Sequence, residues 1–311
     1  MVTLTILIGL SGSGKSTYTK QFDYKRIFFS SVQTLSSDKI RKELLGSEED
    51  QSNNELIFST IKERASYFLE NKIDVIIDAT NITRKSREDI LNYLAKNIYN
   101  FYDKVFVKYV IIATPYYQCL QNNAQRERRV PESVIERQYK IFEFPTQREL
   151  NNWDAELEIV FPYGIPDYYK EGDKNYLNHL NMPHDNPHHS LSIEGHSLKA
   201  LELMCYISDS KVMQLAARLH DVGKPFCKNI KEDGIATYYN HSNVGSYEAI
   251  FYGAAEKLDE RKIIELCTLI EYHMQIRDCT NEKSKQKLIS RIGNKMYIEL
   301  KVLNLVDEEA H

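Results

Sequence analysis

The chain has 311 residues, 42% hydrophobic and 27% charged, with a formal net charge of −4. That length leaves room for two domains, each with its own core, and weak acidity argues against a broad nucleic-acid-coating surface. The five cysteines form no Cys-x-x-Cys pair, no apolar run reaches the ~18 residues of a membrane span, and the N-terminus starts on a strand pattern rather than a signal peptide, so a reducing cytoplasm is the expected setting.

Residues 1–165 alternate β-branched runs with helical stretches, which predicts βαβ units around a parallel sheet with ligands at the strands' carboxyl ends. Strands are expected at 3–8, 27–30, 73–77, 105–112 and 157–160, and helices near 15–22, 38–45, 52–71, 84–98 and 115–125. Gly9-Leu10-Ser11-Gly12-Ser13-Gly14-Lys15-Ser16-Thr17 follows the first strand and matches GxxxxGK[ST] in full. In that pattern the backbone N–H groups around Gly12, Ser13 and Gly14 cradle a β-phosphate at a helix start. Lys15 adds a cation for the β/γ oxygens, the Ser16 hydroxyl can hold Mg²⁺, and Thr17 completes the motif. A glycine-rich turn without ligand is the bland alternative, and Lys15 and Ser16 together argue against it. Asn71-Lys72-Ile73-Asp74 fits the NKxD of guanine readers but precedes a strand instead of following a late one, so ATP is expected over GTP.

Three further segments sit where acceptor chemistry belongs. In Ser36-Ser37-Asp38-Lys39-Ile40-Arg41 the Asp38 carboxylate can take the proton of an attacking hydroxyl, and Arg41, one turn on, can hold an acceptor phosphate. Alternatively Ser37 or Asp38 is a helix N-cap and Arg41 is solvated. Asp78, ending the run Val75-Ile76-Ile77, suits a supporting role around Mg²⁺ or, with Asn81, shapes a turn. Asn122 to Pro131 joins two helices, and arginines on such a hinged stretch can close over a triphosphate.

In chain order, GLSGSGKST, SSDKIR, VIIDATN and NNAQRERRVP resemble the phage-type polynucleotide 5′-kinase domain and its bacterial relatives over roughly residues 1–150. The resemblance implies that Asp38 is the general base for a 5′-hydroxyl, that Arg41 grips the acceptor's 3′-side phosphate, and that Arg126 is a lid arginine at the donor phosphates. Where that family often has an acid directly before Thr-Asn, this chain has Ala79, with Asp78 one position earlier.

Residues 161–188, with four prolines and two glycines, read as a linker. From about 190 the apolar spacing turns helical, with further helices expected near 242–257, 260–275, 283–292 and 295–309, so that 166–311 forms an all-α domain beside the α/β domain of 1–165. The adjacent pair His220-Asp221 offers two metal ligands, and His196, His241, His273 and Asp307 stand in the order H…HD…H…H…D on separate predicted helices. Singly, each histidine would more often be structural or solvated. This series resembles the HD-domain phosphohydrolase superfamily over about 184–311. By that resemblance His196, His220, Asp221 and Asp307 hold a first divalent metal such as Mn, Ni, Co or Zn, and His241 and His273 match the second-metal positions of binuclear members. Lys224 is placed either to touch a substrate phosphate or to act as a helix C-terminal cation after Gly223. His188 and His189 lie on the loop before the helices.

Together the two resemblances imply a nucleic-acid end-healing enzyme. A 5′-kinase using ATP and Mg²⁺ would phosphorylate RNA or DNA ends, the helical part would hydrolyse 2′,3′-cyclic, 2′- or 3′-phosphates, and a separate RNA ligase would seal them. The alternatives are a small-molecule or nucleoside kinase fused to a nucleotide phosphohydrolase, and an ATP-binding switch with a docking module.

Overall fold

The computed structural model describes residues 1–26, 32–185 and 191–310. It divides the chain into two compact units, residues 1–135 with 150–163, and residues 136–149 with 164–311.

In chain order the first part runs β1 (Val2–Ile8), α1 (Lys15–Arg26), β2 (Val32–Ser36), α2 (Ser37–Leu45), α3 (Asn54–Glu70), β3 (Asp74–Asp78) and α4 (Arg84–Asn97). There follow α5 (Phe101–Lys104), β4 (Val105–Ile112), α6 (Tyr116–Ala124), α7 (Glu132–Lys140), α8 (Gln147–Trp153) and β5 (Ala155–Val160). All five strands are parallel, in the order β2-β3-β1-β4-β5. The expected parallel α/β architecture is therefore present. Central β1 is buried almost throughout, as a parallel strand covered on both faces must be, and one sheet face closes over Leu7, Ile76, Val110 and Ile112. The loop after β1 thus opens at the carboxyl edge of the sheet, beside the end of β3.

The second strand differs from expectation. The apolar run at 27–30 lies outside the described residues, and β2 is Val32–Ser36. It forms the sheet edge and is only partly buried, so its sequence is more polar than a central strand's. The NKxD match also has a structural explanation: Asp74 opens β3, and its carboxylate accepts the backbone N–H of Thr3 at 2.8 Å.

The second unit contains α9 (Ile193–Ile207), α10 (Lys211–Leu219), α11 (Lys224–Cys227), α12 (His241–Ala255), α13 (Glu260–Tyr272), α14 (Glu282–Ile292) and α15 (Asn294–Glu309). Side-chain N-caps start several of them: Ser192 accepts from Gly195, Ser210 from Met213 and Asp259 from Lys262, while Asn281 and Ser284 form a capping box. The unit is not purely helical. A hairpin of β6 (Asn229–Ile230) and β7 (Ala236–Thr237) turns through Gly234 at φ 80°, where a side chain would be strained.

Two boundary expectations also change. The tract at 161–188 is more than a linker, because Tyr169, Leu177 and Leu180 are buried and the Tyr169 hydroxyl donates to Glu248 at 2.7 Å. Residues 136–149, expected with the α/β part, belong to the helical unit. Tyr139 donates to the other Glu248 oxygen, the Phe144 N–H donates to Glu271 at 2.8 Å, and Phe142 packs edge-on against Tyr247. Without that segment two buried carboxylates would each lose a hydrogen-bond donor. All five cysteines are free, and no helix among the described residues is long and apolar enough to cross a membrane.

Candidate functional sites

In the first unit the loop between β1 and α1 has the geometry its glycines require. Gly12 and Gly14 sit at φ 87° and 100°, and a Cβ on Gly12 would meet the carbonyl of Cys119 at 2.3 Å. Lys15 is buried and bonds the Gly9 and Leu10 carbonyls at 2.8 and 2.9 Å. Burial lowers its pKa, and Arg126 adds to that; Asp78 and Asp38 oppose it. A polyanion beside this ammonium would replace water it has already lost. The Ser16 hydroxyl donates to Asp78 at 3.1 Å. Burial raises the Asp78 pKa, and Lys15 and Ser16 work against the rise. Asp78 is thus next to the hydroxyl that would face Mg²⁺. Asn81, at φ 44°, donates to the Leu7 carbonyl at 2.8 Å and ties this turn to β1.

The segment after β2 resolves the alternatives for Asp38. Ser36 is the N-cap position and makes no side-chain cap bond; Ser37 and Asp38 are already helical. The Asp38 carboxylate instead lies between two guanidinium groups, Arg41 Nη1 at 2.9 Å from Oδ1 and Arg128 Nη1 at 3.0 Å from Oδ2. Arg41 is buried rather than solvated and donates to Asn54 at 3.1 Å. Arg126 is exposed. In the sequence Arg128 is one of several arginines on the hinged stretch 122–131 and has no role of its own.

In the second unit the structure brings His196 of α9, His220 and Asp221 after α10, His241 of α12, His273 after α13 and Asp307 of α15 into one buried cluster. One group is His196, His220 and Asp221; the other is Asp221, His241 and His273. Asp307 Oδ1 lies 3.0 and 3.4 Å from the Nε2 atoms of His196 and His220. Asp221 turns Oδ2 to that pair, at 3.7 and 3.4 Å, and Oδ1 to His241 and His273, at 3.5 and 3.9 Å.

The histidine tautomers show what this cluster suits. Nδ1 of His220, His241 and His273 faces the carbonyls of Ala217, Tyr238 and Ile270 at 2.7–2.9 Å, and Nδ1 of His196 faces Ala310 at 3.3 Å. A carbonyl can only accept, so each Nδ1 carries the proton and each Nε2 of a neutral ring is a lone pair. Yet Nε2 of His196 faces that of His220 at 3.0 Å, and His241 faces His273 at 3.2 Å. Lone pairs that close repel unless a cation or proton lies between them, and two His pairs sharing one carboxylate fit a pair of divalent ions.

Protons fill part of that need without metal. Burial opposes charge on His220, but Asp221 and Asp307 push its pKa up to about 10. Burial and the neighbouring His241 and His220 push His273 down to about 3. A cation must therefore displace the His220 proton. Metal loading near pH 8 is expected to release about one proton per chain, and affinity to fall about tenfold for each pH unit below 10. Calorimetry in buffers of different ionisation enthalpy reads the proton count directly. The same proton stabilises the metal-free fold fully below pH 6.5, and that contribution disappears as pH rises through about 10.

Around the cluster, Lys224 is buried, pairs with Asp221 Oδ2 at 2.6 Å and approaches His184 Nε2 at 3.2 Å. It begins α11 and is not a helix C-terminal cation. His184 was not prominent in the sequence because it lies in the Pro-rich tract; burial and then Lys224 lower its pKa to about 4. Arg277 donates to Asp307 Oδ2, the oxygen turned away from the histidines. Gly223 permits the close crossing, since a Cβ there would meet the His241 carbonyl at 2.1 Å. His188 and His189 lie outside the described residues.

Residues 4–145 match the model of a family described as an AAA domain. An L-seryl-tRNA(Sec) kinase of Methanococcus maripaludis is 33% identical over 150 residues, 46% of this chain and 53% of that protein. The chain therefore spans about half the length of that curated relative. Among solved structures, one of the Pnkp1/Rnl/Hen1 RNA repair complex is 23% identical, covering 44% of this chain and 42% of that one, with a TM-score of 0.37. Chaetomium thermophilum Kti12 in complex with ADP-AlF3 is 15% identical, covering 51% and 89%, with a TM-score of 0.41. The matched segment, residues 4–145, includes the P-loop, most of β1 and all of β2, β3 and β4.

Proposed function

We propose that the chain is an end-healing enzyme, an ATP-dependent 5′-hydroxyl polynucleotide kinase joined to a metal-dependent phosphoesterase of the HD type. The observation that carries the kinase half is Asp38, a carboxylate between two arginines at the mouth of a phosphate loop. Lys15 and Arg126 would neutralise the donor's β/γ oxygens, and Ser16 with Asp78 would seat its Mg²⁺. The acceptor hydroxyl oxygen then forms a bond to the γ-phosphorus as the bond to ADP breaks, and Asp38 receives the hydroxyl proton. Arg41 would hold the phosphate on the acceptor's 3′ side.

In the helical unit, His196, His220, Asp221 and Asp307 would hold one divalent metal, and His241 and His273 with Asp221 a second. Such metals, when bound, make water nucleophilic near neutral pH and steady a leaving oxygen. Lys224 is placed to pair with a substrate phosphate, and Arg277 fixes the orientation of Asp307. The ends left would be 5′-phosphate and 3′-hydroxyl, ready for a ligase on another chain.

The seryl-tRNA kinase relative supports a second reading in which the phosphorylated hydroxyl is carried by a seryl-tRNA. One experiment separates the readings. Labelled ATP is supplied with an RNA bearing 5′-hydroxyl and 2′,3′-cyclic phosphate ends, with seryl-tRNA, and with free nucleosides, and the RNA termini are analysed. End healing predicts a labelled 5′ end and loss of the cyclic end, with little transfer to the other two. Label on the serine alone would replace this reading with the second one, and label on nucleosides alone would make the protein a small-molecule kinase.

A further inference from the structure

Asp38 is the base of the proposed kinase, yet each of its oxygens is already paired with a guanidinium, which competes for it with a hydroxyl proton. Oδ1 is bonded by Arg41 and Oδ2 by Arg128. The two arginines are held differently. Arg41 is 5% exposed and anchored by Asn54, so it stays in place. Arg128 is half-buried and is shared with Glu48, whose side chain it meets at 3.2 Å and whose carbonyl it bonds at 2.7 Å. Glu48 stands on the loop between α2 and α3.

The loop carrying Arg128 is built to present it. At its neck the Asn123 side chain accepts from the Val130 N–H at 2.9 Å and donates to the Val130 carbonyl at 2.7 Å, closing 124–129 into an arch. Asn122 donates to the Gly12 carbonyl at 2.8 Å, so the helix before the arch is fastened to the phosphate loop. Arg128 therefore reaches the acceptor side from a fixed base.

We propose that Arg128 is a substrate-displaced latch on Asp38 and a second clamp for the acceptor's phosphate. A phosphate one position from the attacking hydroxyl offers the fork-shaped guanidinium paired anionic oxygens on one group, a better geometric match than single oxygens of the Asp38 and Glu48 carboxylates and a carbonyl. When that phosphate draws Arg128 away, Oδ2 of Asp38 is uncovered and takes the hydroxyl proton as the new P–O bond forms and ADP leaves. An acceptor without the phosphate meets a base that is still latched. Preference for a phosphate-bearing acceptor is then set at the base itself, in addition to binding.

This inference rests on the kinase reading, and the test separates the two. Steady-state phosphorylation by the full chain is measured with adenosine 3′-monophosphate and with adenosine, for the wild type, Arg128→Gln, Arg128→Lys and Glu48→Gln. The wild type is expected to prefer the 3′-monophosphate. In Arg128→Gln, KM for the 3′-monophosphate rises about tenfold or more, kcat with adenosine rises, and the preference shrinks; Arg128→Lys restores part of it. Glu48→Gln removes the competing anion and lowers KM for the 3′-monophosphate. A wild type active on neither acceptor nor on 5′-hydroxyl RNA refutes the kinase reading itself. An active wild type whose preference survives in Arg128→Gln, or an Arg128→Gln that loses kcat equally on both acceptors at unchanged KM, overturns the latch alone. Should Arg128→Gln fail to fold by its thermal melt, Glu48→Gln decides, and an unchanged KM in that variant overturns the latch.

Discussion

The Asp221→Ala protein is expected to retain fewer than about 0.1 divalent ions per chain after loading with Mn²⁺ or Ni²⁺ and desalting, because structural cages of this kind lose their ion when a central ligand goes. Asp221 is the only residue common to both donor groups, with one oxygen toward His196 and His220 and the other toward His241 and His273. His273→Ala, by contrast, leaves the His196, His220, Asp221 and Asp307 set complete and should keep one ion where the wild type keeps two. Metal analysis of the three proteins side by side reads this without any activity assay. Removing the carboxylate also strands Lys224, buried 2.6 Å away, so Asp221→Ala should melt lower than wild type. Asp221→Asn keeps the shape and a hydrogen-bond acceptor, and it separates loss of metal from loss of fold. Equal metal content in wild type and Asp221→Asn would refute the two-metal assignment.

The second large effect belongs to the unit with the phosphate loop. Asp38→Ala is expected to lower kcat for transfer to a 5′-hydroxyl oligonucleotide about 10²- to 10⁴-fold, the usual worth of a general base. Lys15→Ala should cost at least about as much, through lost stabilisation of charge on the transferring group. Hydrolysis of a 2′,3′-cyclic phosphate end by the same two variants should stay at the wild-type rate, because every residue of the cage is intact. Transfer by Asp38→Ala at the wild-type rate would remove the base assignment and leave Asp38 as a partner of Arg41 only.

How much of this was legible in the chain depends on how local each feature is. The phosphate loop is nine consecutive residues whose glycines meet a demand of backbone geometry, and the structure has the same loop that the pattern describes. The six cage residues are spread over 112 positions, yet the order of histidines and aspartates on amphipathic helices was enough to collect them; the structure places them together. Features that depend on distant partners were not legible. Arg128 resembles its neighbours in sequence and differs only in what lies opposite, Asp38 and Glu48. His184 sits among prolines that read as irregular chain, and its importance comes from Lys224, forty positions later. Val32–Ser36 was not legible as a strand because its edge position lets it be polar, and the apolar run expected at 27–30 lies outside the described residues. The assignment of 136–149 follows from aromatic packing and two buried carboxylates, which no local pattern announces.

That last segment has a consequence for anyone who wishes to take the protein apart. The polypeptide enters the helical unit at 136, returns to the sheet unit at 150, partway along α8, for β5, and leaves again at 164. The two bodies are laced together along the chain rather than strung one after the other. A protease that nicks between 163 and 164 yields one fragment with the whole sheet unit plus residues 136–149 of the helical unit, and a second fragment with the helical unit lacking that piece. A fragment beginning at Gly164 would lack Tyr139 and Phe144, leaving Glu248 with one of its two hydroxyl donors and Glu271 without the Phe144 amide. Testing either proposed activity alone is therefore better done by silencing one site in the intact chain than by truncation.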